Sequence, residues 1–240
     1  RPLQQAAEHA ARAMAPQGLG LDSSAVRQRM VDRVRANGAR CDPVLQAMAR
    51  VPRHVFVDSA LATQAYEDTS LPIGWEQTIS KPTVVARMLA LLFEAEAVRA
   101  RGGQSLGRVA EIGTGCGYQA ALLAALSTRV VSIERIGPLH HKARENLAQL
   151  GIANVRLIHG DGRIGHAPLA PYDAIVSAAG GEDLPAAWLE QLAVGGRLVA
   201  PMQRGADGGQ VLMVGDRTAD GWRQSTHDAV HFVPLKSGRS

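Results

Sequence analysis

Beyond Gly107 the chain alternates short β-forming runs with helical stretches, and this alternation restricts its architecture more than any other feature. The runs are VAEI at 109–112, VVSIE at 130–134, VRLIH at 155–159 and DAIVS at 173–177. Runs of this kind, spaced by helix-length segments, specify parallel βαβ units. Between the second and third runs Ile136, Leu139, Ala143, Leu147 and Leu150 recur at intervals of 3, 4, 4 and 3, which places them on one helical face, and Gly151 supplies the stop. GGRLVAPM, QVLMVGD and DAVHFVPL follow. The last two runs are separated by polar, Gly-containing segments too short for a crossover helix, so they are expected to pair antiparallel. The expected fold is α/β: a doubly wound, mostly parallel sheet with a hairpin at its end.

The part before Gly107 reads differently. Residues 1–21 are rich in Ala and Gln, end in Pro16-Gln17-Gly18-Leu19-Gly20, and suggest a flexible, helix-prone tail. From Ser23 to Asn37, Val26, Met30 and Val34 repeat every fourth residue, and Asn37-Gly38 ends an amphipathic helix. Asp42-Pro43 opens another, with the Asp42 carboxylate expected to cap free amides. The stretch 66–83 (YEDTSLPIGWEQTISKPT) has no sustained period and carries Trp75, two prolines and several hydroxyls, as a functional loop would. Pro82 then starts an apolar helix through Val85, Met88, Leu89 and Leu92. The resulting division is a tail over 1–21, a helical cap with a substrate loop over 22–107, and a ligand-binding core over 108–240.

Composition excludes several classes. With 240 residues, 46% hydrophobic and 20% charged, the chain is neither wholly disordered nor too small to bury a core without disulfides or metal. Its densest apolar run, Met88 to Phe93, is far short of the roughly 20 residues that span a bilayer. The N-terminal residues lack the apolar stretch of a secretory signal, so cytoplasm is the expected location. The net charge of +4 is spread along the chain. A local excess at Arg27, Arg29, Arg33, Arg35, Arg40, Arg50 and Arg53 fits a solvated helical face better than a nucleic-acid surface. Neither Cys41 and Cys116 nor the histidines His140, His141 and His159 have the spacing of metal ligands, and no metal is expected.

The first run ends in Glu111-Ile112 and enters Gly113-Thr114-Gly115-Cys116-Gly117-Tyr118, followed by helical AALLAAL. Glycines there let a backbone approach a ligand where a strand delivers it to a helix N-terminus. The same glycines would also serve a plain tight turn. Glu134 closes the next run, 21 residues beyond Gly113, where a carboxylate can accept hydrogen bonds from both ribose hydroxyls of an adenosine or pair with Arg135. The third run ends in His159-Gly160-Asp161-Gly162, where Asp161 can meet an adenine amino group or simply form an Asx turn. A dinucleotide fingerprint would need glycine at Tyr118, and no G-K-[ST] phosphate loop is present. Glu111 would repel a phosphate but can attract, directly or through water, the ammonium of an amino-acid-bearing adenosine.

VAEIGTGCGYQAALLA, VVSIERI and HGDG resemble the successive motifs of class I S-adenosylmethionine-dependent methyltransferases. RHVFV at 53–57, AYEDTSLPIG at 65–74, QTIS at 77–80, ERI at 134–136, GDG at 160–162 and FVPL at 232–235 narrow the resemblance to the protein-L-isoaspartate O-methyltransferase family, from about residue 25 to the end. The resemblance implies a seven-stranded Rossmann-like sheet, S-adenosylmethionine as cofactor with S-adenosylhomocysteine as product, and methylation of L-isoaspartyl and D-aspartyl carboxylates in damaged proteins. It marks Ser80 as the active-site residue and Gln77, Thr78 and Ile79 as cofactor-side neighbours. With these it groups Glu111, Gly113, Thr114, Gly115, Gly117, Glu134, Asp161 and Gly162. It implies a monomer that acts on protein, with no nucleic-acid or membrane partner. Glu76, Lys81, Thr83 and His231 depart from the family pattern and bear on substrate preference.

A carboxylate acceptor is ionised at pH 7 and needs no general base, in keeping with the lack of a convincing catalytic triad. Rate enhancement would come chiefly from positioning and exclusion of water, and proximity can supply on the order of 7–11 kcal/mol. Ser80 stands two residues before Pro82, so its hydroxyl either orients the acceptor or caps that helix. Two rivals are a nucleobase amino-methyltransferase and a non-catalytic adenosine-binding scaffold. The first usually carries Asn or Asp, Pro-Pro and an aromatic after the fourth strand, where this chain has Ser177-Ala178-Ala179-Gly180. Only a transfer assay separates the second.

Overall fold

The computed structural model describes residues 23–204 and 209–240; the expected tail over 1–21 lies outside the described residues. Ser23 caps α1 (Ser24–Ala36) by accepting from Val26 N, and Gly38 at φ +100° turns the chain out of it. Helix α2 (Asp42–Arg50) corrects one expectation. Its cap position is Cys41, with no side-chain bond, because Asp42 is already helical and its carboxylate faces Arg35 Nη2 at 3.3 Å. Two 3₁₀ segments, Arg53–Phe56 and Ser59–Gln64, lead to a small hairpin, β1 (Leu71–Gly74) with β2 (Gln77–Ile79). Helices α3 (Pro82–Phe93) and α4 (Glu96–Ala100) follow.

The main sheet contains β3 (Arg108–Ile112), β4 (Arg129–Glu134), β5 (Val155–His159), β6 (Tyr172–Ser177), β7 (Leu192–Arg204), β8 (Gly209–Thr218) and β9 (Gly221–Val230). Its order is β5-β4-β3-β6-β7-β8-β9. The first five strands are parallel, and β8 and β9 add antiparallel. Helices α5 (Tyr118–Leu126), α6 (Gly137–Gln149) and α7 (Ala186–Gln191) occupy the crossovers. The chain winds outward from β3 through β4 to β5, then returns to β6 on the other side of β3. That reversal opens a crevice at the carboxyl ends of β3 and β6, where α/β sheets bind ligands.

The run DAVHFVPL is only partly strand. β9 starts earlier, at Gly221, and stops at Val230, because Gln210 takes both polar groups of Phe232 (N to Oε1 2.7 Å, Nε2 to O 3.2 Å). Pro234 then has no N–H with which to continue a ladder. The segment instead binds Gly180, whose N donates to Val233 O at 2.8 Å and whose O accepts from Leu235 N at 2.7 Å.

Each sheet face is covered. One hydrophobic cluster runs from Met30 and Val34 through Leu89 and Leu122 to Phe232, and a second joins Ile112, Ile133 and Ile175 to Trp188 and Leu198. The first cluster crosses residue 107 without interruption and includes residues of helices α3 and α4. Arg197 on β7 ties them down: Nη1 donates to Leu91 O at 2.9 Å, while Nε and Nη2 grip Asp216 at 2.7 and 2.9 Å.

Candidate active site

Three strand ends and the hairpin line one cavity of about 450 Å³. Gly113, Gly115 and Gly117 after β3 all have positive φ (+86°, +56° and +95°), the left-handed region that a Cβ disfavours. A Cβ on Gly115 would also stand 3.1 Å from Ile73 Cδ1 of the hairpin. At the end of β4 the Glu134 carboxylate is held from two sides, Oε2 by Gly115 N at 2.8 Å and Oε1 by Ile136 N at 2.9 Å. Each oxygen keeps a lone-pair direction for a hydroxyl donor. Gly162 after β5 forms part of the floor, where a Cβ would stand 2.4 Å from Ile112 Cγ2. Ile112, Ile133, Ile136 and Leu139 supply apolar wall. Adenosine chemistry, with a flat apolar base and a diol, fits this donor and surface set.

Of the residues singled out in the sequence, Gln77, Thr78, Ile79, Ser80, Gly113, Thr114, Gly115, Glu134 and Gly162 line the cavity. Gly117, Glu111 and Asp161 do not. Gly117 packs on Ala143 of α6 instead, where a Cβ would meet Ala143 Cβ at 3.3 Å. Glu111 is wholly buried beneath the loop. It lies in register with Ser132 on β4, whose Oγ donates to its Oε2, and Ser132 Oγ also meets Thr114 Oγ1 at 2.5 Å. Its Oε1 has no partner, and burial pushes the carboxyl up to about 8, against the lowering effect of Ser132 and Gln119. Burial thus favours the neutral carboxyl, which supports the loop from below. Asp161 caps the 3₁₀ turn Gly162–Ile164 through Arg163 N (2.8 Å), and its other oxygen accepts from Gly238 N at 2.7 Å.

Ser80 does not cap α3. The Thr83 amide is taken by Asp68 Oδ1 at 2.8 Å, and among the described residues Ser80 Oγ has no hydrogen-bond partner. A second cavity of about 440 Å³ is lined by Ser70, Lys81, Val84, Ala229, His231 and Phe232, and it shares Thr78, Ser80, Ala178 and Val233 with the first. The two cavities thus meet at Ser80. Cys116, its thiol pushed up by burial, fills space in the loop, and among the described residues no cluster of His, Cys, Asp and Glu could hold a metal.

Several lining residues escaped sequence reading. The hairpin turn puts Trp75 and Glu76 at φ +51° and +57°, and the half-exposed Trp75 indole stands at the cavity mouth. The aromatic without a period in a Gly-containing stretch was the available signal. Lys236 and Ser240 line the outer side, where Ser240 N donates to Arg135 O at 2.9 Å and Ser240 O accepts from Gly137 N at 2.7 Å. Nothing in the local sequence announces that wall, because it is set by contacts about a hundred residues away.

Residues 25–240 match the family model described as protein-L-isoaspartate(D-aspartate) O-methyltransferase. The chain belongs to this family. It is 62% identical over 239 residues to the Methylibium petroleiphilum protein-L-isoaspartate O-methyltransferase, covering 99% of this chain and 87% of that one. It is 59% identical to the Leptothrix cholodnii protein of the same name, covering 100% and 83%. Among solved structures, a protein-L-isoaspartate O-methyltransferase superposes with a TM-score of 0.75 at 26% identity, covering 88% of this chain and 66% of that one. A Plasmodium falciparum structure assigned to the same family, in complex with S-adenosyl-L-homocysteine, gives 0.75 at 25% identity, covering 88% and 98%. The family's Rossmann-like sheet is the one described above. Among the described residues no helix is long and apolar enough to cross a membrane.

Proposed function

We propose that the first cavity holds S-adenosylmethionine, that the second holds the isoaspartyl side chain of a damaged protein, and that the two meet for methyl transfer at Ser80. The observation that carries this reading is the pair of cavities joined at Thr78, Ser80, Ala178 and Val233. When bound, S-adenosylmethionine supplies a methyl group on a sulfonium.

The chain's own residues have three tasks. Glu134, held by Gly115 N and Ile136 N, accepts from the ribose hydroxyls, with Ile133, Ile136 and Leu139 against the base. Gly113, Thr114 and Gly115 bring backbone close, and Asp161 orders the base end through the Gly162 turn. Gln77, Thr78 and Ile79 line the cofactor side, and the unpartnered Ser80 hydroxyl donates to the acceptor carboxylate. That acceptor is already ionised at neutral pH, so no side chain has to remove a proton. Among the described residues Lys81 and His231 are the basic side chains lining the second cavity and no acidic one does, in accord with an anionic acceptor.

The reading includes L-isoaspartyl and D-aspartyl residues as acceptors and excludes nucleic acid. Arg33 and Arg35 pair with Glu67 and Asp42, and Arg53 is buried, so part of the basic cluster is engaged within the chain. The reading takes a monomer as the working form. The free cysteines Cys41 and Cys116 suit the reducing cytoplasm.

The test is transfer of labelled methyl from S-adenosylmethionine to matched peptides carrying isoaspartate, aspartate or asparagine at one site, with DNA alongside. Label confined to the isoaspartyl peptide and released by mild base is the expected result. Label on DNA, or binding of cofactor without transfer, would overturn it.

A further inference from the structure

Arg53 is the strangest residue of the described chain. Its side chain is 0% exposed, yet among the described residues no carboxylate lies within ion-pair reach of it. Its polar contacts are two main-chain oxygens: Nε donates to Ala65 O at 2.8 Å and Nη2 donates to Ser80 O at 2.8 Å. The central carbon of the guanidinium lies over the Tyr118 ring, 4.6 Å from its centroid. Nη1 is buried without a partner, and so is the Tyr118 hydroxyl.

Burying a cation that makes no ion pair costs several kcal/mol, and Asp68 offers this one only a longer-range attraction. Stability of the core is therefore a poor account of Arg53. Its contacts point elsewhere. Ala65 ends the 3₁₀ segments, Ser80 follows the hairpin at the junction of the two cavities, and Tyr118 begins α5 directly after the glycine loop. A planar fork with donors in two fixed directions, lying on a ring, is a gauge between these three pieces; the ammonium of lysine has no such geometry.

We infer that Arg53 is a positioning residue, which acts through the Ser80 main chain to set the acceptor side of the junction against the glycine loop that borders the donor side. This assignment rests on the methyl-transfer reading above. A misplacement of about 1 Å from a residue outside the chemistry can cost about a hundredfold in rate.

The test compares wild type with Arg53→Met and Arg53→Lys by three readouts: kcat and KM on an isoaspartyl peptide, the Kd of S-adenosylhomocysteine by calorimetry, and hydrogen exchange across residues 77–80. Expected is a fall in kcat of at least about tenfold in both variants, with S-adenosylhomocysteine affinity within about twofold and faster exchange at 77–80. A modestly lower melting temperature for Arg53→Met accompanies that result, because the Ala65 and Ser80 carbonyls lose their donor. Retention of kcat within about twofold would overturn the inference, as would unchanged exchange at 77–80. So would failure of both variants to fold, or a loss of cofactor affinity as large as the loss in kcat, since either makes Arg53 a general structural residue. A wild-type enzyme that transfers no methyl would sink the functional reading instead, and the exchange data would still judge the clamp.

Discussion

Replacing Glu111 by glutamine tests the electrostatics under the glycine loop. The carboxyl is wholly buried, with Oε1 unpartnered, and burial raises it from an ordinary value of 4.5 to about 8. Between those values the folded chain holds a proton that the unfolded chain has released. The unfolded state then binds fewer protons, so stability falls as pH rises. The contribution is fully present below the unfolded value and is lost once pH passes the folded one. Integrated from about pH 5.5 to about pH 7.5, this group alone removes on the order of 2 kcal/mol of stability. Glutamine has the same shape and does not titrate. The stability of Glu111→Gln relative to wild type should therefore rise by roughly that amount over the same interval. Urea denaturation of both proteins at the two pH values measures the difference. A gap between variant and wild type that stays constant to within about 0.5 kcal/mol would show that the Glu111 carboxyl is not held neutral.

Four further outcomes are expected. Ser80→Ala should leave the melting temperature unchanged, because Asp68 caps α3, while kcat falls by up to about tenfold, the worth of one hydrogen bond; a lower melting temperature with full kcat would contradict this. Glu134→Gln leaves Gly115 N or Ile136 N facing an amino group, and S-adenosylhomocysteine should bind roughly ten- to a hundredfold more weakly by calorimetry. Glu76→Gly relieves a left-handed residue at φ +57° and should raise stability by about 1 kcal/mol, or about 2–4 °C in a thermal melt. Gly238→Pro removes the N–H that Asp161 Oδ2 accepts, from a residue at φ +79° that proline cannot adopt, and should weaken S-adenosylhomocysteine severalfold with little change in melting temperature.

How far the site could be read along the chain depended on the range of the interaction that placed each residue. Glu134 was legible because it ends a strand whose run of apolar residues marks its own limit, and Gly113 and Gly115 because a strand-to-helix turn demands glycine locally. Glu111 misled. Its neighbours indicate a strand, but whether its carboxyl reaches the cavity depends on α5 packing over that face and on Ser132 standing opposite in β4. The capping reading of Ser80 failed for a similar reason, since the competing acceptor, Asp68, lies 15 residues before the Thr83 amide that it takes. The Arg cluster likewise hid the difference between Arg33, paired at the surface, and Arg53, wholly buried.

Local patterning alone was enough to establish alternating strands and helices, the glycine loop between β3 and α5 and the acid that closes β4, because period, turn geometry and chain reversal are short-range constraints. Tertiary structure alone decided that Glu111 stays beneath the loop, that Lys236 and Ser240 wall the cavity, that Ser80 stands where two cavities join, and that Arg53 reaches it. Those placements depend on which faces of distant elements are pressed together, and packing of that kind leaves no periodic trace in the chain.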